Sequence, residues 1–340
     1  MQYMKKYVIL ILAAAVSAMS AAQAQNSQPL RFGDDKSFTI AHFTDMHLNA
    51  STPYRTAQAE YTFARLSRIV HGENPDLLVF TGDIVTGKPA AGMWDRLIDS
   101  LDVYKIPFCI VLGNHDAEQE LTRAQIASRI TASPYSLNGK NAAGELADME
   151  LPVLSASGKK TSLVLYCMDS HDYSTIDGVD GYGWFYPAQV AWIGECCKAK
   201  AAANGGRPVP SLAFFHIPLP EYAEAWRDRS NTHIGRCAEG ECPGVLNTGM
   251  FAEMVSGGSV MGVFTGHDHD NDYVVAKFGV ALAYGRYSGD DTVYNNLRHG
   301  VRMIKLNEKE RGFRTWVSED DGRIADSVVF DGKEIKKYRK

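Results

Sequence analysis

Phe108-Cys109-Ile110-Val111-Leu112-Gly113-Asn114-His115-Asp116 passes in one step from unbroken apolar residues to a glycine and three polar side chains. A short apolar run closed by a turn residue predicts a fully buried strand. The same passage recurs on either side. Phe38 to Phe43 leads into Thr44-Asp45-Met46-His47, and Leu77 to Phe80 into Thr81-Gly82-Asp83. Leu212 to Phe215 leads into His216, and Val260 to Thr265 into Gly266-His267-Asp268-His269. Helical stretches fall between these runs, from about Thr56 to His71, near Met93 to Tyr104, and from Pro187 to Ala203, which a proline starts and Asn204-Gly205-Gly206 stops. Alternation of strand and helix argues for an α/β fold with parallel strands and crossover helices.

Ser162 to Met168 reads as a further strand. Tyr273 to Lys277, Val280 to Tyr284, Val301 to Leu306 and Phe313 to Val317 are rich enough in Val, Ile and Tyr to form a mixed or antiparallel sheet edge. Two sheets packed face to face with helices outside would house all these strands in one domain. The tail Lys333 to Lys340 is basic and reads as a solvated end.

Polar residues at the carboxyl ends of strands line the crevice where α/β sheets bind ligands. Here those ends carry Asp45, His47, Asp83, Asn114, His115, Asp116, His216, His267 and His269. One histidine after a strand means little, but five strand ends delivering Asp, Asn and His serve no packing purpose. Gathered carboxylates repel one another, and bound cations relieve that repulsion. Mixed imidazole, carboxylate and amide oxygen donors suit Zn, Mn or Fe better than calcium.

In these blocks the chain resembles the calcineurin-like metallophosphoesterases, whose pattern is D-x-H, G-D, G-N-H-D/E, a lone His, and G-H-x-H. All five stand in order between about residues 38 and 270. The resemblance implies a four-layer α/β/β/α sandwich of two mixed sheets, the metallo-dependent phosphatase fold, in a single domain over residues 38–330. It implies two divalent metal ions (Mn, Fe or Zn), one on Asp45, His47, Asp83 and His269, the other on Asp83, Asn114, His216 and His267. Asp83 would bridge them, because a carboxylate has two oxygens to share. His115 would donate a proton or hydrogen bond to the phosphate or the leaving oxygen, with Asp116 orienting it. Asn114 and His115 would also contact substrate.

Phe214 to Glu221, Asp169 to Tyr173, and Gly181 to Trp184 look like segments of the purple-acid-phosphatase-like branch. A true purple enzyme carries a tyrosine three residues after the bridging Asp, where this chain has Thr86, and a glycine where it has His47. The ferric-tyrosinate colour is therefore expected to be absent. Tyr182 and Trp184 could wall a substrate site or pack in the core. His171 could approach the metals from behind other ligands. Arg286 could meet a phosphate or simply face solvent. Asp268, inside the G-H-x-H block, is not a ligand in the family.

The ends of the chain carry a different signal. Lys5-Lys6, the apolar run Val8 to Val16 and Ala22-Gln23-Ala24 read as a signal peptide over residues 1–24, followed by an extension over 25–37. The product is expected to be periplasmic or secreted, without stable membrane insertion. The whole chain has 35 basic and 40 acidic residues; without Lys5 and Lys6 the basic count is 33 and the net charge −7. That balance weighs against a nucleic-acid partner and leaves a small phosphorylated substrate or a phosphoprotein. Cys109 and Cys167 read as buried thiols, Cys196 and Cys197 point apart on a helix, and Cys237 and Cys242 flank a loop where a disulfide or two free thiols would fit.

The expected function is an exported dinuclear-metal phosphoesterase acting on phosphate monoesters. The alternatives are a phosphodiesterase on the same metals, or a non-enzymatic metal-binding protein.

Overall fold

The computed structural model describes residues 29–291 and 296–338. The expected signal peptide lies outside the described residues. The chain forms β1 (Ser37–Phe43), α1 (Pro53–Glu73), β2 (Leu77–Thr81), α2 (Ala90–Tyr104), β3 (Phe108–Val111), α3 (Arg123–Ile130), β4 (Met149–Leu154) and β5 (Thr161–Cys167). It continues through α4 (Pro187–Ala203), β6 (Ser211–Phe214), α5 (Glu221–Arg227), α6 (Met250–Gly257), β7 (Val260–Thr265), β8 (Val274–Lys277) and β9 (Val280–Tyr284). The last strands are β10 (Gly300–Asn307), β11 (Phe313–Glu319), β12 (Ile324–Phe330) and β13 (Ile335–Lys337).

These strands make two mixed sheets, ordered β13-β12-β11-β10-β1-β2-β3 and β4-β5-β6-β7-β9-β8. Strands β1, β2 and β3 are parallel, as are β5, β6, β7 and β9. Their side chains alternate between two apolar layers, as strand geometry requires. Leu77 and Val79 of β2, with Leu163, Leu165, Leu212 and Phe214, fill the space between the sheets. Leu78 and Phe80 turn outward and pack against Leu66, Trp94, Leu97 and Leu101 of α1 and α2. On the far side, Val164, Tyr166, Ala213 and Val263 pack against Ile193 and Met254 of α4 and α6. The four-layer α/β/β/α sandwich follows from this double-sided burial.

The helices start and stop where local chemistry directs. Thr52 caps α1 by accepting from Arg55 N at 3.2 Å, with proline in the first turn, and Asn74 ends the helix at φ 46°. Buried arginines cross between the sheets, Arg286 among them. Arg302 on β10, wholly buried, donates to the carbonyls of Tyr284 and Asp272, both at 2.5 Å. It thereby ties the first sheet to the second at the end where the polar residues gather.

Both ends of the domain differ from the sequence reading. The segment expected as an extension is partly core: Leu30 and Phe32 are buried, and Phe32 N donates to Leu154 O at 3.0 Å. The basic tail is not simply solvated, because Ile335–Lys337 pairs antiparallel with β12 and seats Ile335, only 3% exposed, in the layer between the sheets. Strand β4 was also missed. Pro152 argues against an interior strand, and β4 sits at a sheet edge, where proline is tolerated. All six cysteines are free thiols, so Cys237 and Cys242 form no disulfide here. Among the described residues no helix is long and apolar enough to cross a membrane.

If the tail strand contributes to the core, Ile335→Ala should lower stability by roughly 2–4 kcal/mol, the range for emptying a buried aliphatic site. Urea unfolding of the two proteins measures it. A difference under about half a kcal/mol, the usual size of a surface substitution, would mean that the strand is an ornament.

Candidate metal centre

Every strand end singled out in the sequence opens on the same side of the sandwich. Asp45 and His47 follow β1, Asp83 follows β2, and Asn114 and His115 follow β3. His216 follows β6, and His267 and His269 follow β7. Their ligand atoms converge in two groups that share Asp83. Atoms of Asp45, His47, Asp83 and His269 all lie within 4.8 Å of one another, as do those of Asp83, His216 and His267. Asn114 Oδ1 joins the second group, 3.2 Å from His216 Nε2.

The backbone bends sharply to aim these groups. Asp45, His47, Asp83 and His267 take φ of 51°, 44°, 50° and 77°. Such conformations cost of order 1–3 kcal/mol each in a non-glycine residue and gather at functional sites. The glycines beside them leave room for the ligands. A side chain on Gly113 would lie 2.8 Å from His216 Nε2 and within the Asp83 carboxylate, and one on Gly82, at φ 78°, would enter the His216 ring.

Hydrogen bonds behind the His216 and His47 rings turn their Nε2 atoms inward. His216 Nδ1 meets Thr81 O at 2.8 Å, so it carries the proton and Nε2 presents a lone pair. That lone pair faces Asp83 Oδ2 at 3.3 Å and Asn114 Oδ1 at 3.2 Å. His47 Nε2 similarly faces His269 Nε2 at 3.2 Å, and His269 Nε2 faces Asp45 Oδ1 at 3.4 Å. Acceptors aimed at one another across this spacing need a cation or a proton between them.

Ionisation preferences point the same way. Burial, aided by neighbouring His269, pushes the His47 ring down to about 4, and burial with His216 pushes His267 down to about 3. Burial also works against charge on His216, yet the Asp83 and Asp45 carboxylates raise it to about 10; Asp45 likewise raises His269. Both carboxylates are held below their ordinary range, against burial, by these rings. The cluster demands positive charge, and its donor set fits divalent metals of the Zn, Mn or Fe kind.

A third acidic group, Asp290, His299 and Asp320, also has ligand spacing. Arg65 occupies it instead, donating to Asp290 Oδ2 at 2.7 Å and to both oxygens of Asp320.

A profile for calcineurin-like phosphoesterase matches residues 38–271. The chain belongs to the calcineurin-like phosphoesterase family. It is 32% identical over 335 residues to probable inactive purple acid phosphatase 29 of Arabidopsis thaliana, across 87% of this chain and 86% of that one. It is 28% identical to phosphatase DCR2 of Saccharomyces cerevisiae across 85% of this chain, but spans 55% of that longer protein. A dimetal phosphatase from Danio rerio shares the fold at a TM-score of 0.60 and 13% identity, over 86% of this chain and 98% of that one. The purple-acid-phosphatase-like branch expected from the sequence is thus borne out, and members of the family bind a dinuclear metal centre.

Several expectations need correction. Asp116 does not orient His115. Its buried carboxylate accepts from the backbone N–H groups of Asp83, Ile84, Val85 and Gly113 at 2.8–3.0 Å, and so braces the loops after β2 and β3. His171 turns away from the centre, with Nε2 2.9 Å from Gln189 Oε1 and its ring stacked on Tyr186. Arg286 neither meets phosphate nor faces solvent; it is buried in ion pairs with Asp272, Glu319 and Asp326. Asp268 accepts from Tyr284 O–H at 2.6 Å. Trp184 is core, whereas Tyr182 sets its ring edge-on to His267 at 4.3 Å. At the position of the purple enzymes' tyrosine, Thr86 Oγ1 lies 3.1 Å from His47 Nδ1.

Two residues were missed. His115 Nδ1 lies 2.7 Å from Glu118 Oε2, and Tyr173 O–H donates to Glu118 Oε1 at 2.9 Å. The spacing of three residues from His115 to Glu118 within a turn was the available signal. Burial and the Glu118 carboxylate push the Tyr173 hydroxyl up to about 12, so it remains a donor at neutral pH.

Chelation followed by reloading should give about two divalent ions per chain by elemental analysis, as expected of a two-metal site, and no visible tyrosinate band. Asp83→Ala, which removes the shared carboxylate, should leave well under one. Full occupancy in that variant would refute the shared role of Asp83.

Proposed function

We propose that this chain is an exported dinuclear-metal phosphoesterase that hydrolyses phosphate monoesters. The observation that carries the reading is the completeness of the constellation: Asp45, His47, Asp83, Asn114, His216, His267 and His269 converge, with His115 beside them. The names of the relatives pull in opposite directions, one "inactive" and one "phosphatase". A decayed site would be expected to lack a ligand or the proton donor, and this one lacks neither.

In this reading Asp45, His47, Asp83 and His269 hold one metal, and Asp83, Asn114, His216 and His267 the other. The bound pair would supply Lewis-acid polarisation of a phosphoryl oxygen and a water acidified toward neutral pH. The rest falls to the chain. Asp83 Oδ2 faces both groups, 3.9 Å from His47 Nε2 and 3.3 Å from His216 Nε2, while its Oδ1 accepts from His115 N at 2.9 Å. That bond ties the position of His115 to the bridging carboxylate. His115, with a side chain 39% exposed, stands at the open rim, where a leaving group would depart. Its Nδ1–H donates to Glu118, so Nε2 is the atom that meets the leaving oxygen, and the ring delivers a proton there from the form protonated on both nitrogens. General acid help of this kind is worth typically 10²–10⁴-fold. Tyr173 and Tyr182, stacked at 5.8 Å, form an aromatic wall beside the second ligand group.

Lys5-Lys6, the apolar run and Ala22-Gln23-Ala24 support export, with a mature N-terminus at Gln25. Sequencing the N-terminus of the exported protein checks this, and Met1 retained on a membrane-bound product would refute it.

Hydrolysis of p-nitrophenyl phosphate and bis-p-nitrophenyl phosphate, after reloading with Mn, Zn or Fe, separates the functional readings. The monoester should be the better substrate. Preference for the diester would make the chain a phosphodiesterase, and no turnover with both metals bound would make it a metal-binding protein. His115→Ala should keep its metal and lose about 10²–10⁴-fold in turnover, with a smaller loss for p-nitrophenyl phosphate than for an alkyl phosphate. Equal losses for both would exclude proton donation.

A further inference from the structure

His115 needs a partner that fixes its ring, and the carboxylate next to it in sequence is committed elsewhere. Asp116 spends both oxygens on backbone N–H groups of the loops after β2 and β3. The atom that meets the His115 ring is Glu118 Oε2, 2.7 Å from Nδ1. A carboxylate there can only accept, so Nδ1 carries a proton and the opposite nitrogen is left for the reacting group.

Glu118 is itself held. Its second oxygen accepts from Tyr173 O–H at 2.9 Å. That hydroxyl has one proton to give, and its oxygen accepts in turn from Asn114 Nδ2 at 3.2 Å. Every donor in the series has one acceptor, and the directions agree. The Asn114 amide can then turn only one way, with Nδ2 toward Tyr173 and Oδ1 toward His216. The Tyr173 ring is steadied by stacking on Tyr182, which packs on His267.

We propose that Glu118 is the positioning residue for His115, and that Tyr173 holds Glu118 while linking it to Asn114. This rests on the phosphoesterase reading above and adds the device that aims its proton donor. Stability is not the purpose of the pair. The side chains of His115 and Glu118 are 39% and 40% exposed, and an ion pair so wet adds little to stability. What the bond supplies is direction: it selects one ring tautomer and one ring orientation at the rim.

The test is a double-mutant cycle on the metal-loaded enzyme. Glu118→Ala should lower kcat by about 10–100-fold, the usual effect of losing an orienting partner, with KM changed less than about threefold and metal content unchanged. Glu118→Gln keeps an acceptor oxygen and should recover part of the loss. In a His115→Ala background, Glu118→Ala should cost nothing more, because Glu118 acts through His115. Losses that multiply in the double variant would overturn the proposal, as would loss of metal from Glu118→Ala.

Nitrogen-15 spectra of the zinc-loaded protein give a readout without turnover. At a pH where its ring is neutral, His115 should be in the Nδ1–H form in the wild type and a mixture of tautomers in Glu118→Ala. An unchanged tautomer would overturn the proposal. A protein that binds zinc but hydrolyses no phosphate ester would refute the phosphoesterase reading while leaving this measurement to decide the role of Glu118.

Discussion

The constraint on which the rest depends is the burial of the Asp83 carboxylate. It is 1% exposed, within reach of three histidines, and close enough to Asp45 for the two charges to oppose each other. A carboxylate in that position is tolerable only with positive charge around it. The surroundings are arranged for this. His115 N donates to it, His216 faces it with a tautomer fixed by Thr81, and Gly113 passes beneath it with no side chain to obstruct. Asp116 then holds the two loops that carry Asp83 and Asn114 at a fixed separation.

The sandwich exists to make this convergence possible. Parallel strands in each sheet bring their carboxyl ends to one edge, and stacking the two sheets lays those edges side by side. Asp45, His47, Asp83 and Asn114 come from the first sheet, and His216, His267 and His269 from the second. Arg302 secures the alignment by donating across the gap to carbonyls beside the second sheet's ligands. The strained φ values at Asp45, His47, Asp83 and His267 are where packing free energy from the three apolar layers is spent on geometry.

Much of this could be read in the sequence, for a physical reason. A strand buried on both faces has no polar alternation to blur its limits, so Val260–Thr265 and Val280–Tyr284 are legible to the residue. So is α4, with proline at its first turn and Asn204 after it. Edge elements are harder. Pro152 in β4 and the lysines of β13 are residues that edges tolerate and interiors exclude, and their strand character comes from a neighbour distant in sequence. The candidate ligands were legible because chemistry restricts which residue types can hold a metal. The supporting contacts were not, because Asp116 and Glu118 are both carboxylates close to His115. Only the fold decides which one turns toward backbone amides and which toward the ring.

The division of ligands between the sheets has one more consequence. An ion shared by Asp83 and His216 would join the two sheets at their polar edge. Binding free energy at such a clasp is also folding free energy, growing with free ion concentration as RT ln(1 + [M]/Kd). A filled centre would therefore act as a rivet, and the mouth of the sandwich would be tightest with its ions bound.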